Sequence, residues 1–256
     1  MIAFYVWTDT LLLNAVRVKE SFFSAEDADL IVLKLDRVSE ELLEEIRRLD
    51  VFARVVELEN IVPDAPSALY KLTKLLRRRA GYRKLTDQLS SLSGTQYRLL
   101  LTGGFWSYFL FVYRYFTAWS PALDIAFLEE GAASYNGRES LLRCDPLGRT
   151  RSELYRCFYY SDIFPAACAR AKTLYLFCPQ AALNSEGLEC VELPRSSPKA
   201  AALMEMLSSR NSLDEYRRRE VIFFLQPEPD ADIKTTLFCI NAAVEEFGAE
   251  NILVPQ

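Results

Sequence analysis

Two adjacent carboxylates, Glu129 and Glu130, stand in the stretch Asp124-Ile-Ala-Phe-Leu-Glu-Glu-Gly-Ala-Ala-Ser-Tyr135. The apolar run Ile125–Leu128 has the length and bounds of a buried strand, and it stops abruptly at the acids. Like charges side by side resist joint ionisation, so such a pair at a strand end costs free energy unless it is paired or used. Gly131 permits the tight turn that would expose both side chains. Ligands of α/β sheets gather at the carboxyl ends of strands, where a carboxylate can serve as a general base. The pair also fits a strand end simply solvated by water, and the residues alone leave both readings open.

The sequence contains no histidine. Ser-His-Asp and Cys-His nucleophiles, histidine general bases and histidine metal sites are therefore excluded. Proton transfer by this chain must use a carboxylate, Tyr, Lys or Cys.

Several motifs are also missing. No strand-like run is followed by Gly-x-Gly-x-x-Gly, no Gly-x-x-x-x-Gly-Lys-Ser/Thr occurs, and there is no Gly-x-Ser-x-Gly. These absences count against dinucleotide binding, a P-loop NTPase and a nucleophile elbow. The net charge of -5 counts against a nucleic-acid partner. Cys144, Cys157, Cys168, Cys178, Cys190 and Cys239 lack C-x-x-C spacing and mostly sit among apolar residues. They read as reduced core residues of a cytoplasmic protein.

The elements that would hold the acids in place follow from alternation. Apolar runs at Ile2–Trp7, Leu30–Leu35, Ala53–Leu58, Tyr97–Leu101 and Ile125–Leu128 read as strands. Between them come helical patterns at Leu11–Ser21, from Ser39 to Arg48, and from Phe105 to Phe116. Ser39 is placed as an N-cap, with acids in the first turn. Uninterrupted apolar strands alternating with helices predict a largely parallel sheet covered on both faces. The opening Met1–Trp7 has no basic region before its apolar run, so it reads as a strand and not a secretory leader. The aromatic run Phe105–Trp119, broken by Arg114, is too short to span a membrane and reads as core packing.

Turn signals at Asn136-Gly137 and Asp145-Pro146-Leu147-Gly148 lead to a helical pattern at Ser152–Tyr160. A second series follows: strands at Thr173–Cys178, Cys190–Leu193, Val221–Leu225 and Ile252–Val254, with helices at Pro198–Ser209 and Asp232–Phe247. The expected organisation is an N-terminal Rossmann-like domain over 1–150 and a C-terminal one over 151–256, the latter short for a complete lobe. Lys71, Lys74, Arg77, Arg78, Arg79, Arg83 and Lys84 crowd the helical stretch from Ser67 to Ser93. That stretch fits a solvated helix face, or a patch facing anionic lipid or an anionic acceptor.

At Glu129-Glu130-Gly131 the chain resembles the bacterial lipooligosaccharide sialyltransferases (glycosyltransferase family 52) and the related polysialyltransferases, which carry an acidic pair and a glycine at a strand end. Tyr5-Val-Trp-Thr-Asp-Thr-Leu-Leu-Leu-Asn-Ala15 is similar to the family's first strand, polar turn and helix. Asp29–Leu33 looks like its second strand, and Leu174–Pro179 and Phe223–Pro227 look like strands of its donor domain.

The resemblance implies a GT-B fold of two Rossmann-like lobes. It also implies transfer of sialic acid from CMP-sialic acid to a hydroxyl of a bacterial cell-surface glycan (lipooligosaccharide or capsule). By position, Glu130 is the base and Glu129 its partner or alternate. Gly131, Ser134, Thr8 and Asp9 fall on the acceptor side and Gln226 and Pro227 on the donor side, with no metal or other cofactor. Ala132, Ala133 and Ser134 are small enough to leave room for a sugar. The expected partners are a nucleotide-sugar donor and a glycan acceptor. A peripheral contact with the inner membrane through Lys71–Lys84 and self-association are also expected.

The family's His-Pro, which serves the donor phosphate, has no counterpart. A rival reading is therefore a non-catalytic GT-B-fold protein that binds a glycan, a nucleotide or a partner. A third, in which the acids hold a divalent cation, lacks a supporting Asp cluster.

Overall fold

Apolar, branched and aromatic residues in short runs form the strands of a parallel sheet. The computed structural model describes residues 1–35, 38–59, 82–105, 108–142, 162–183, 185–195, 197–210, 221–222 and 252–253. Ile2–Val6 (β1), Ala28–Lys34 (β2), Arg54–Glu59 (β3), Leu99–Thr102 (β4), Asp124–Leu128 (β5), Ala171–Leu176 (β6) and Glu189–Glu192 (β7) make one seven-stranded sheet. Their order is β3-β2-β1-β4-β5-β6-β7, and every neighbouring pair is parallel. The first six positions reproduce the dinucleotide-fold order 3-2-1-4-5-6. All five strands expected in the first half of the sequence lie in this sheet.

Burial on both faces explains the composition of the central strands. β1 is buried at every position, and its side chains alternate between two helical layers. Phe4 packs edge-on against Phe52, which follows the second helix, while Tyr5 meets Phe109 on the other face. The helices are Asp9–Phe22 (α1), Glu40–Arg48 (α2), residues 82–88 (α3), Phe109–Thr117 (α4), Arg138–Leu141 (α5), Phe164–Arg170 (α6) and Pro198–Arg210 (α7). Ser39 caps α2 as the sequence indicated, its hydroxyl accepting from the Leu42 N–H at 3.1 Å.

At the amino end of the sheet the fully buried Asp29 carboxylate is held by the Arg54 guanidinium at 2.9 and 2.5 Å and the Tyr97 hydroxyl at 2.5 Å. This buried, paired charge ties β2, β3 and the approach to β4 together.

Two differences from the sequence reading have clear causes. The aromatic helix expected from Phe105 starts at Phe109. The Phe105 N–H bonds to the Leu141 carbonyl at 2.8 Å, and Tyr108, the residue before the helix, adopts a left-handed backbone (φ 51°) that no helix continues through. Residues 171–176 and 189–192, assigned from sequence to the second lobe, add to β5 as the sixth and seventh strands of the first sheet. Alternation identifies strands but not the sheet they join.

Two compact units divide the chain, Met1–Leu203 and Met204–Gln256. In the second, Val221–Ile222 (β8) and Ile252–Leu253 (β9) pair in parallel. The helical expectations at Ser152–Tyr160 and Asp232–Phe247 lie outside the described residues.

Candidate functional site

The strand order reverses direction between β1 and β4. The chain leaves β1 towards β2 and β3, and leaves β4 towards β5, which makes the carboxyl ends of β1 and β4 the switch point where ligands of such sheets gather. The turns that follow these strands are Trp7-Thr8-Asp9 and Gly103-Gly104, and the acidic turn after β5 lies next to them.

Gly103 is where the three turns converge. A Cβ on Gly103 would meet the Leu11 methyls at 2.8 and 2.9 Å and the Glu130 Oε2 at 3.2 Å. Only a glycine lets α1 and the Glu130 carboxylate approach the β4 turn so closely. Gly131 has φ 155° and ψ -161°, a backbone region open essentially to glycine alone, and a Cβ there would meet nothing within 4 Å. Glycine therefore follows the acids because of the chain path, and its exposed backbone faces open space.

The two acids have different surroundings. The Glu129 carboxylate is engaged by the fold, with Oε2 accepting from the Tyr135 hydroxyl at 2.6 Å and from the Phe177 N–H at 2.8 Å. Tyr135 in turn accepts from the Cys178 N–H at 3.2 Å. Burial, reinforced by the bond to Glu129, pushes the Tyr135 hydroxyl up to about 12, so it remains a donor at neutral pH. The Glu129 carbonyl accepts from Asn14 Nδ2 on α1 at 2.7 Å. Glu129 thus joins β5, the following 3-10 turn Ala132–Asn136, α1 and the chain after β6.

Glu130 is half-buried and its carboxylate stands beside Gly103. Its backbone N–H donates to the Ser134 hydroxyl at 3.0 Å, and the Ser134 N–H returns to the Gly131 carbonyl at 2.9 Å. Ser134, buried and expected on the acceptor side, forms the frame of the turn.

Thr8 and Asp9 reach the same end of the sheet and serve as helix caps. Thr8 Oγ1 accepts from the Leu11 N–H at 3.3 Å at the start of α1. Asp9 Oδ1 accepts from the Ser39 N–H at 2.9 Å. Gln226, Pro227 and residues 71–81 of the basic stretch lie outside the described residues. Lys84, at the end of that stretch, is exposed and pairs with Glu59.

Sequence reasoning passed over Tyr135 and Arg17. Arg17 lies on α1 near Glu129, its guanidinium 5.1 Å from the centre of the Phe177 ring. A tyrosine four residues beyond a glycine and an arginine in an apolar helix carry no motif, so spacing could not have found either.

Among the described residues no group of three His, Cys, Asp or Glu side chains is placed to hold a metal ion. No helix among them is long and apolar enough to cross a membrane. Cys168, Cys178 and Cys190 are free thiols, while Cys144, Cys157 and Cys239 lie outside the described residues.

Fold and site together define a Rossmann-like α/β protein with a carboxylate at its switch point. No family description matches the sequence, and no curated protein matches it either. Among the solved structures to which the chain shows a distant similarity are two. One is the Candida albicans trehalose-6-phosphate phosphatase N-terminal domain, at 9% identity and TM-score 0.42, covering 100% of this chain and 72% of that one. The other is Phytolacca americana UGT2 complexed with UDP-2fluoro-glucose and pterostilbene, at 10% identity and TM-score 0.44, covering 99% and 70%. Likenesses this distant support no argument about activity.

Proposed function

We propose that the chain is a glycosyltransferase in which Glu130 acts as the general base on an acceptor hydroxyl. The observation carrying this reading is the placement of Glu130. Its carboxylate stands beside the switch-point glycine Gly103, at the carboxyl end of β5. A sugar hydroxyl is a poor nucleophile, and a positioned carboxylate that takes its proton as the new bond forms lowers the barrier. In the proposed reaction Glu130 receives that proton and the freed oxygen attacks the anomeric carbon of the donor. The bond to the donor phosphate breaks, and the nucleotide leaves with the electron pair. No metal takes part in the proposed step.

The finer reading, supported by the resemblance at Glu129-Glu130-Gly131, takes CMP-sialic acid as donor and a bacterial cell-surface glycan as acceptor. Absence of histidine, and with it the family's His-Pro, favours a second reading in which the same fold binds a nucleotide or glycan without turnover. A screen of nucleotide sugars separates the outcomes. A ligand that binds only the folded protein raises its melting temperature. The transferase reading expects such a rise and sugar transfer by the stabilised protein. Stabilisation without transfer to any glycan acceptor supports the binding protein, and no stabilisation by any donor counts against the transferase and against nucleotide binding.

A further inference from the structure

Arg17 is a cation that folding partly strips of water and that has no ion pair within 4 Å among the described residues. Nη1 donates to Asn14 Oδ1 at 2.7 Å, and the guanidinium lies over the Phe177 ring, which covers part of the planar group. Nε is buried without a hydrogen-bond partner, and among the described residues the side-chain bond made by the guanidinium is the one from Nη1. Nε and Nη2 form the side-on edge of the guanidinium, the geometry that grips carboxylate and phosphoryl oxygens with two parallel bonds. The Glu129 carboxylate acts on Arg17 through space but is already held by Tyr135 and Phe177. Burial lowers the Arg17 pKa, and the opposing pull of Glu129 does not make up the difference. A buried donor left without a partner is unfavourable, so an acceptor that reaches this edge restores a bond that folding left unmade.

We propose that Arg17 is an oxyanion-binding residue, receiving a phosphoryl or carboxylate group of the ligand on its Nε–Nη2 edge, on the β6 side of the acidic turn. The proposal rests on the reading that this end of the sheet is the ligand site. It adds that the ligand carries a negative group on the side of Glu129 facing Phe177. Asn14 is the positioning residue: its amide donates to the Glu129 carbonyl while its oxygen holds Nη1, so the helix fixes the guanidinium relative to the turn. An oxyanion here comes from one of two sources, the phosphate of a nucleotide or the carboxylate of an acidic sugar.

The test follows the Arg17 Nε–H resonance in the full chain labelled with 15N-arginine, assigned by its loss in Arg17→Lys. Inorganic phosphate, cytidine 5′-monophosphate and N-acetylneuraminic acid are titrated separately at constant ionic strength, with chloride as control. A saturable shift with at least one oxyanion, absent with chloride, is expected. A response to phosphate and the nucleotide alone assigns a phosphoryl group, and one to N-acetylneuraminic acid alone assigns a sugar carboxylate. Arg17→Met should keep its circular dichroism and weaken the responding probe about tenfold or more, the scale of one lost charge-assisted bond. A resonance that ignores all three probes, or an Arg17→Met chain that binds them as tightly, overturns the proposal. Binding is read without turnover. A shift in a protein that transfers no sugar keeps the subsite and removes the transferase, and transfer with an unmoved Arg17 does the reverse.

Discussion

Removing the Glu129 charge and the Tyr135 hydroxyl separately and together tests whether this acid holds the site in shape. Glu129 Oε2 accepts two hydrogen bonds, from the Tyr135 O–H at 2.6 Å and the Phe177 N–H at 2.8 Å. Glu129→Gln retains an acceptor oxygen but loses the charge that strengthens both bonds. Tyr135→Phe removes one donor and leaves the Cys178 N–H without its acceptor. A hydrogen bond to a charged group contributes about 1.5–3 kcal/mol. Both residues are half-buried, so each single change should cost about 1–2 kcal/mol, at the low end. The double variant should cost about 1 kcal/mol less than the sum, because the shared bond can be lost only once. Equilibrium urea unfolding followed by tryptophan fluorescence measures all four proteins, with midpoints compared at constant m. Effects additive within about 0.3–0.5 kcal/mol would mean that the two residues do not act through a common bond. The assignment of Glu129 to structure would then be wrong.

Three further outcomes follow from the same geometry. Gly131→Ala meets no steric neighbour, so its cost should be backbone strain alone, about 1–3 kcal/mol in urea unfolding; an unchanged midpoint would show that the turn accepts other conformations. Asp29→Ala leaves Arg54 and Tyr97 without their buried carboxylate and should cost about 3 kcal/mol, and a loss below about 1 kcal/mol would remove the network from the core's support. The Tyr135 pKa rises from 10.0 unfolded to about 12 folded, so its contribution is complete below pH 10.0 and is lost as pH climbs towards about 12. Subtracting the Tyr135→Phe stability profile should isolate that alkaline loss, and identical profiles would contradict it.

The sheet was legible because a parallel strand buried on both faces has little choice of composition: Ile2–Val6 and Ile125–Leu128 are apolar throughout. The acidic turn was legible for a related reason, since two carboxylates ending such a run are conspicuous. What sequence could not show was how Glu129 is tied into the fold. That depends on Tyr135 reaching back across the turn and on the Phe177 N–H arriving from 48 residues away. Thr8 and Asp9 follow β1; the Thr8 cap on α1 is local, but the bond from the Ser39 N–H to Asp9 spans 30 residues and appears only in the folded chain. Arg17 is silent in sequence because its character comes from desolvation and from Phe177, neither of which local spacing encodes. The strand expected at Thr173–Cys178 is present at Ala171–Leu176, but alternation carries no information on which sheet edge receives it.

The central claim is that Glu130 carries the proton in glycosyl transfer. Its most direct test is the initial rate of sugar transfer by Glu130→Gln beside the unaltered chain, with the donor that stabilises the protein and a glycan acceptor. The amide keeps the shape and still forms hydrogen bonds but cannot take the proton. The account predicts a rate lower by about 100-fold or more, with melting temperature and donor affinity nearly unchanged. Glu130→Gln transferring sugar at the rate of the unaltered chain would place the base elsewhere and contradict the account.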